Sequence, residues 1–201
     1  MKHVHFTPWV GKNYRQCSGT FKKRVLVLGE SHYQWDKDVS LSSYPTLTNE
    51  CIEEQLSGQN TYRFWTMIAS VFYRCYPTPK DKKTFWHSVA FANFVQESVG
   101  CSSRVRPTRE MWEKGRLAFN EMLAELCPDV VAVLGYDLWE NLGESDDKGP
   151  DIPNAKKEHG ETWFYPYPNG KALAFPIMHP SSSHFKYADW DACLKSAIEA
   201  T

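Results

Sequence analysis

Ala172-Leu173-Ala174-Phe175-Pro176-Ile177-Met178-His179-Pro180-Ser181-Ser182 is an apolar run that breaks into a polar turn. A second run, Arg24-Val25-Leu26-Val27-Leu28, breaks the same way into Gly29-Glu30-Ser31-His32-Tyr33. Short continuous apolar runs fit parallel strands covered on both faces. Loops at the carboxyl ends of such strands line the crevice of an open α/β sheet. Two strands from opposite ends of the chain thus deliver a carboxylate, Glu30, and an imidazole, His179, toward one site.

Residues 89–95 and 130–134 are further apolar runs and, with 25–28 and 173–178, make four expected strands. Pro176 cannot donate to a ladder, so it belongs near a sheet edge or at a bulge beside His179. Helical periodicity separates the strands. Asn60 is placed to cap a helix with the apolar stripe Phe64, Ile68, Phe72 and Cys75, ended by Pro77. Thr108 is placed to cap a second, with Met111, Trp112, Ala118, Met122 and Leu126 inward, stopped by Pro128. A short helix with Leu138, Trp139 and Leu142 follows Gly135, and a last one covers residues 189–200. Residues 162–167 read as a short antiparallel edge strand. The alternation predicts a single domain over residues 1–201, a three-layer α/β/α sandwich with a central, mostly parallel four-stranded sheet.

At 201 residues, 42% hydrophobic and 23% charged, the chain can bury one proper core. Its 8 Trp, 10 Tyr and 11 Phe suit either a core of large side chains or a cleft with stacking surfaces for flat ligands. A net charge of -1 gives no global sign of nucleic-acid binding. A local basic patch, Arg104, Arg106, Arg109, Lys114 and Arg116, outnumbers Glu110 and Glu113 and reads either as a DNA contact or as a solvated helix face. The six cysteines are scattered without a Cys-x-x-Cys pair, which removes the spacing signals for zinc and iron–sulfur clusters. The amino terminus lacks the apolar core of a signal peptide, and no stretch is long and apolar enough to cross a membrane. A cytoplasmic monomer with reduced thiols and no cofactor is the expectation.

In order and placement these segments resemble the uracil-DNA glycosylase superfamily, from about residue 24 to residue 186. Gly29-Glu30-Ser31-His32-Tyr33 occupies the place of that family's water-activating loop. Phe91-Ala92-Asn93-Phe94-Val95 is similar to the strand whose asparagine reads the flipped base. Arg106-Pro107-Thr108-Arg109-Glu110 and Pro128-Asp129-Val130-Val131-Ala132-Val133-Leu134-Gly135 are similar in order and spacing to the iron–sulfur branch. His179-Pro180-Ser181 matches the start of the second catalytic motif. The resemblance implies a DNA partner, single- or double-stranded, and a metal-free, monofunctional glycosylase. Glu30 would position water or stabilise the sugar cation, and His179 would stabilise the leaving base. Asn93 would read the base, with Tyr33, His32 and Phe94 around it. Ser181, Ser183 and Lys186, with Arg104 and Arg106, would hold the DNA backbone.

The chemistry agrees. A stacked nucleotide must be extruded before its glycosidic carbon can be reached. The bond then breaks with positive charge growing on the sugar and negative charge on the base, which a carboxylate and a hydrogen-bond donor stabilise. An amide pairs with a base edge through donor and acceptor together.

The chain also departs from the family. Ser31 stands where the best-known uracil enzymes carry aspartate, the cluster cysteines are missing, and His32 replaces the loop's proline. Ser182 and Ser183 stand where a proline and an apolar wedge are usual, leaving Phe185 as the candidate wedge. These changes point away from plain uracil to a modified or damaged base, for example a bulky modified cytosine of phage DNA met in antiviral defence.

Two other classes compete. Gly29-Glu30-Ser31 looks like the Gly-Asp-Ser opening of small esterases, with Ser31 as nucleophile needing an oriented histidine. That family's Asp-x-x-His is absent, because Pro176 stands three residues before His179. A DNA-binding module that kept the fold and lost catalysis is the other. Structural roles are also open: a helix cap for Glu30, a satisfied core histidine for His179, and turn or packing roles for His32 and Tyr33.

Overall fold

Side-chain alternation along the apolar runs explains the layering. The computed structural model describes residues 1–17, 21–33, 43–60, 62–101, 105–143, 145–154 and 159–201. Its strands are β1 (Trp9–Val10), β2 (Val25–Gly29), β3 (Val89–Asn93), β4 (Val130–Leu134), β5 (Asp147–Lys148), β6 (Ile152–Pro153), β7 (His159–Gly160), β8 (Trp163–Tyr167) and β9 (Gly170–Ile177). Its α-helices are α1 (Leu47–Ser57), α2 (Arg63–Tyr73), α3 (Pro79–Ser88), α4 (Arg109–Leu126), α5 (Tyr136–Leu142) and α6 (Asp191–Glu199), with a 3-10 turn at Tyr187–Asp189.

The protein is α/β, but the sheet corrects the four-stranded expectation. Seven strands pair in the order β1-β3-β2-β4-β9-β8-β5, and β6 with β7 forms a separate pair. The four anticipated strands are its parallel centre. Antiparallel β1, β8 and β5 extend it on both sides. β1 and β5 have two residues each, too few to show a period. Residues 162–167 do hold an antiparallel strand, β8, but β5 covers its outer side, so it is not the edge.

Val25, Val27, Phe91, Val130, Ala132 and Phe175 face one way and pack with Trp65, Ile68, Phe85, Trp86 and Leu194 of α2, α3 and α6. Leu26, Leu28, Ala90, Ala92, Val131 and Val133 face the other way, against Trp112, Phe119 and Met122 of α4 and Leu138 of α5. Each of the larger buried side chains contributes roughly 1.5–3 kcal/mol. The Leu173 amide donates to Asp129 O on the β4 side at 3.0 Å. By alternation the Pro176 nitrogen points to the β8 side, where pairing has already stopped at Ala174. Its missing donor therefore breaks no ladder bond.

The Thr108 hydroxyl accepts from the Met111 amide at 3.3 Å and starts α4 as expected. Asn60 does not cap α2; the amide donates to Glu54 at 2.8 Å, and Tyr62 precedes the helix. None of the helices is long and apolar enough to cross a membrane, among the described residues.

Candidate active site

Because β3, β2, β4 and β9 run parallel, their carboxyl ends share one edge of the sheet. Asn93, Glu30, Gly135 and His179 leave that edge from adjacent strands. The chain steps from β2 to β3 on one side, and β4 lies on the other, which is the arrangement that opens a crevice in α/β sheets. A cavity of about 930 Å³ lies there, and Glu30, Asn93 and His179 all line it. The exits of β2 and β9 are two strand spacings apart, on the order of 10 Å.

Main-chain bonds hold the Glu30 loop: the amides of Phe94 and Val95 donate to the carbonyls of Gly29 and Glu30 at 2.8 and 2.9 Å. The Glu30 carboxylate is buried, and a helix for it to cap would fall on residues 34–42, outside the described residues. Arg106 Nη1 donates to both its oxygens, at 3.3 and 3.1 Å, and Arg106 Nη2 pairs with Asp137. Burial pushes the Glu30 carboxyl above its ordinary range; Arg106 opposes that and Asp137 adds to it.

His179 is turned by its own loop. The Ser181 amide donates to His179 Nδ1 at 3.2 Å. A neutral ring that accepts at Nδ1 carries its proton on Nε2, where it is a donor. Burial, then the Arg106 charge, hold the imidazole below its ordinary pKa, so it is neutral at pH 7. Phe64 stacks on the ring at 5.4 Å between centroids and 29° between planes. Gly135, at φ 111°, lets the β4–α5 turn run past His179.

Asn93 is buried, and its side-chain amide has no hydrogen bond to a described residue. Gly29 is its register partner, and a Cβ there would collide with Asn93 Oδ1. The missing side chain is what lets the amide stand at the cavity.

Other expected residues divide. Tyr33 lines the cavity. His32 borders it, but its Nε2 bonds Thr48 Oγ1 at 2.9 Å and its ring meets Phe6 edge-on at 4.8 Å, which ties the loop to α1. Phe94 does not shape the cavity: it points to the opposite face, against Trp112 and Phe119 at 5.8 and 5.9 Å. Two residues before Asn93, on the same strand face, Phe91 supplies the wall together with Phe64 and Trp65. Period-two alternation could have assigned Phe91 from the sequence.

Phe185 is 5% exposed within the helix-side core, so it is not a projecting wedge. Ser181, Ser183 and Lys186 are exposed, and Ser181 lines the cavity with Ser183. Arg106 pairs with Glu30 and Asp137, and its side chain stays 58% exposed. Arg109 pairs with Glu113, and Lys114 with Glu97 and Glu110, which neutralises most of the expected basic patch. Arg104 lies outside the described residues. Ser31 Oγ is buried with no hydrogen-bond partner, so no described histidine reaches it as a base. Asp137, Tyr62 and Tyr136 are cavity residues that the sequence reading did not single out.

No protein-family model matches this chain, and no curated protein matches it significantly in sequence.

Proposed function

We propose that this chain is a monofunctional DNA glycosylase of the uracil-DNA glycosylase type, acting on a modified or damaged base. The observation that carries the reading is the meeting of a buried carboxylate, an unpartnered amide and a donor imidazole on one cavity. The base enters and Asn93 pairs with its edge. The C1′–N bond breaks, and the electron pair leaves with the base, where the Nε2–H of His179 meets the growing negative charge. The Glu30 carboxylate stabilises the sugar cation and orients a water. That water bonds to C1′, and its proton passes by way of the carboxylate to solvent.

A volume of about 930 Å³ is near the upper end for small-molecule cavities and has room for a base with a bulky substituent. A modified cytosine of phage DNA, removed in defence, fits that description. The esterase alternative lacks support because Ser31 Oγ has no base beside it.

The test is to incubate the protein with genomic and phage DNAs bearing different modifications, then identify released bases by mass spectrometry. Glu30→Gln and His179→Ala should each lower release by about 10²–10³-fold. Unchanged turnover in both variants would remove the assigned roles. Binding without abasic sites on any DNA would leave a non-catalytic module.

A further inference from the structure

Three tyrosine rings stand exposed at the cavity. Tyr33 is 43% exposed, Tyr62 60% and Tyr136 45%. All three line the opening, yet they come from separate elements: the loop after β2, the residue before α2, and the first residue of α5. Tyr136 meets the ring of Trp190 at 6.5 Å between centroids, yet all three residues keep a large part of their surface in solvent. Rings there supply flat, amphipathic area for flat ligands.

Cations accompany the rings. Arg63 follows Tyr62, and Lys186 follows the serine turn after His179; both are exposed. Neither makes an ion pair with another described residue, whereas Arg106 is held by Glu30 and Asp137. The α2 helix packs on the 3-10 turn that Lys186 precedes, so the two cations sit on neighbouring elements. Aromatic platforms interleaved with cations are how proteins hold single-stranded nucleic acid: bases stack, phosphates are neutralised.

Extruding a base from a duplex has an added requirement. The unpaired partner and the gap are commonly stabilised by an inserted apolar side chain. Phe185 is in the core, and its loop exposes Ser181, Ser183 and His184 instead. A single strand leaves no gap, and its base gives up only stacking on its neighbours. Those neighbours can stack again on tyrosine.

We infer that the nucleic acid bound here is single-stranded DNA, with the bases flanking the extruded nucleotide stacked on Tyr33, Tyr62 and Tyr136 and the phosphates beside them met by Arg63 and Lys186. The inference rests on the glycosylase reading and names the form of its substrate.

Fluorescence anisotropy of the whole chain tests it. The probe is a fluorescein-labelled mixed-sequence DNA of roughly 12 nucleotides, presented alone and annealed to its complement. The single strand should bind at least ~10-fold tighter than the duplex. Tyr62→Ala and Tyr136→Ala should each weaken single-strand binding by ~5–100-fold, and Tyr62→Phe should restore it, since the ring carries the effect. Arg63→Gln should reduce the slope of log affinity against log salt. Duplex binding as tight as single-strand binding, alanine variants that bind like wild type, or no binding of either form would each overturn the inference. Base release separates the two ideas. Release from duplex by a protein that prefers duplex keeps the glycosylase and removes the single-strand rim. Tight single-strand binding with no base released from any DNA keeps the rim and removes the glycosylase.

Discussion

Arg106 lies between two carboxylates, and the charge of the cavity turns on that one guanidinium. Burial disfavours the ionised form of Glu30, while two hydrogen bonds from Arg106 favour it. The same charge helps keep His179 neutral. Arg106 thus favours an ionised Glu30 and a neutral His179, the forms the proposed reaction needs. Arg106→Met removes the opposing influence and leaves burial, so the Glu30 pKa rises further. Ionised Glu30 is the active form, so the acid limb of the base-release profile should move to higher pH. A pH–rate series on wild type and variant reads this directly, and superimposable acid limbs would show that Arg106 does not govern Glu30. Arg106 stood in the sequence as a residue of a basic patch, because the contact that defines it spans 76 positions and leaves no local trace. Glu30, Asn93 and His179 were legible for the opposite reason. Each lies within two residues of the end of an apolar run, and a parallel sheet puts all such positions on one edge.

Strand register does for Asn93 what charge does for Glu30. β2 and β3 pair Gly29 with Asn93, and the amide occupies the space that a side chain at 29 would fill. Gly29→Ala therefore displaces a movable side-chain oxygen, with the ring edge of Phe91 next nearest at 3.0 Å. The expected outcome is a folded protein, with a melting temperature close to wild type, whose base release falls about tenfold or more through the Michaelis constant. A large drop in melting temperature with unchanged kinetics would place the role of Gly29 in packing alone. The elements that escaped the sequence reading did so for two reasons. The charged run Lys80-Asp81-Lys82-Lys83 hides the short apolar face of α3, Phe85 and Trp86, although Thr78-Pro79 and Asp81 form a capping box at its start. β1 and β5 pair by two residues with strands already in place, so tertiary contact rather than pattern makes them strands. Phe94 and Phe185 were misplaced because aromatic character near a site says nothing about which face the ring takes. For Phe94 the alternation from Asn93 decides it.

At the scale of the molecule, the Glu30 loop is coupled to the fold through His32. That imidazole is buried, bonded to Thr48 of α1 and packed on Phe6 of the amino-terminal segment, so one side chain ties β2, α1 and the amino terminus together. Burial lowers its pKa from 6.5 to about 4. The folded state therefore resists a proton that the unfolded chain accepts. Stability from the neutral ring is fully present above pH 6.5 and is lost as pH falls toward about 4. The gap between the two values corresponds to about 3 kcal/mol. His32→Gln removes the titrating group. Urea unfolding of wild type and variant should show the wild-type advantage shrinking by about 3 kcal/mol between pH 7.5 and pH 4. Carboxylates titrate in both proteins and cancel in the difference. A difference that stays constant with pH would mean that His32 does not titrate in this window. If it does, mild acid loosens the segment carrying Glu30 before the sheet opens, and base release should fail at a higher pH than the far-ultraviolet signal of the fold.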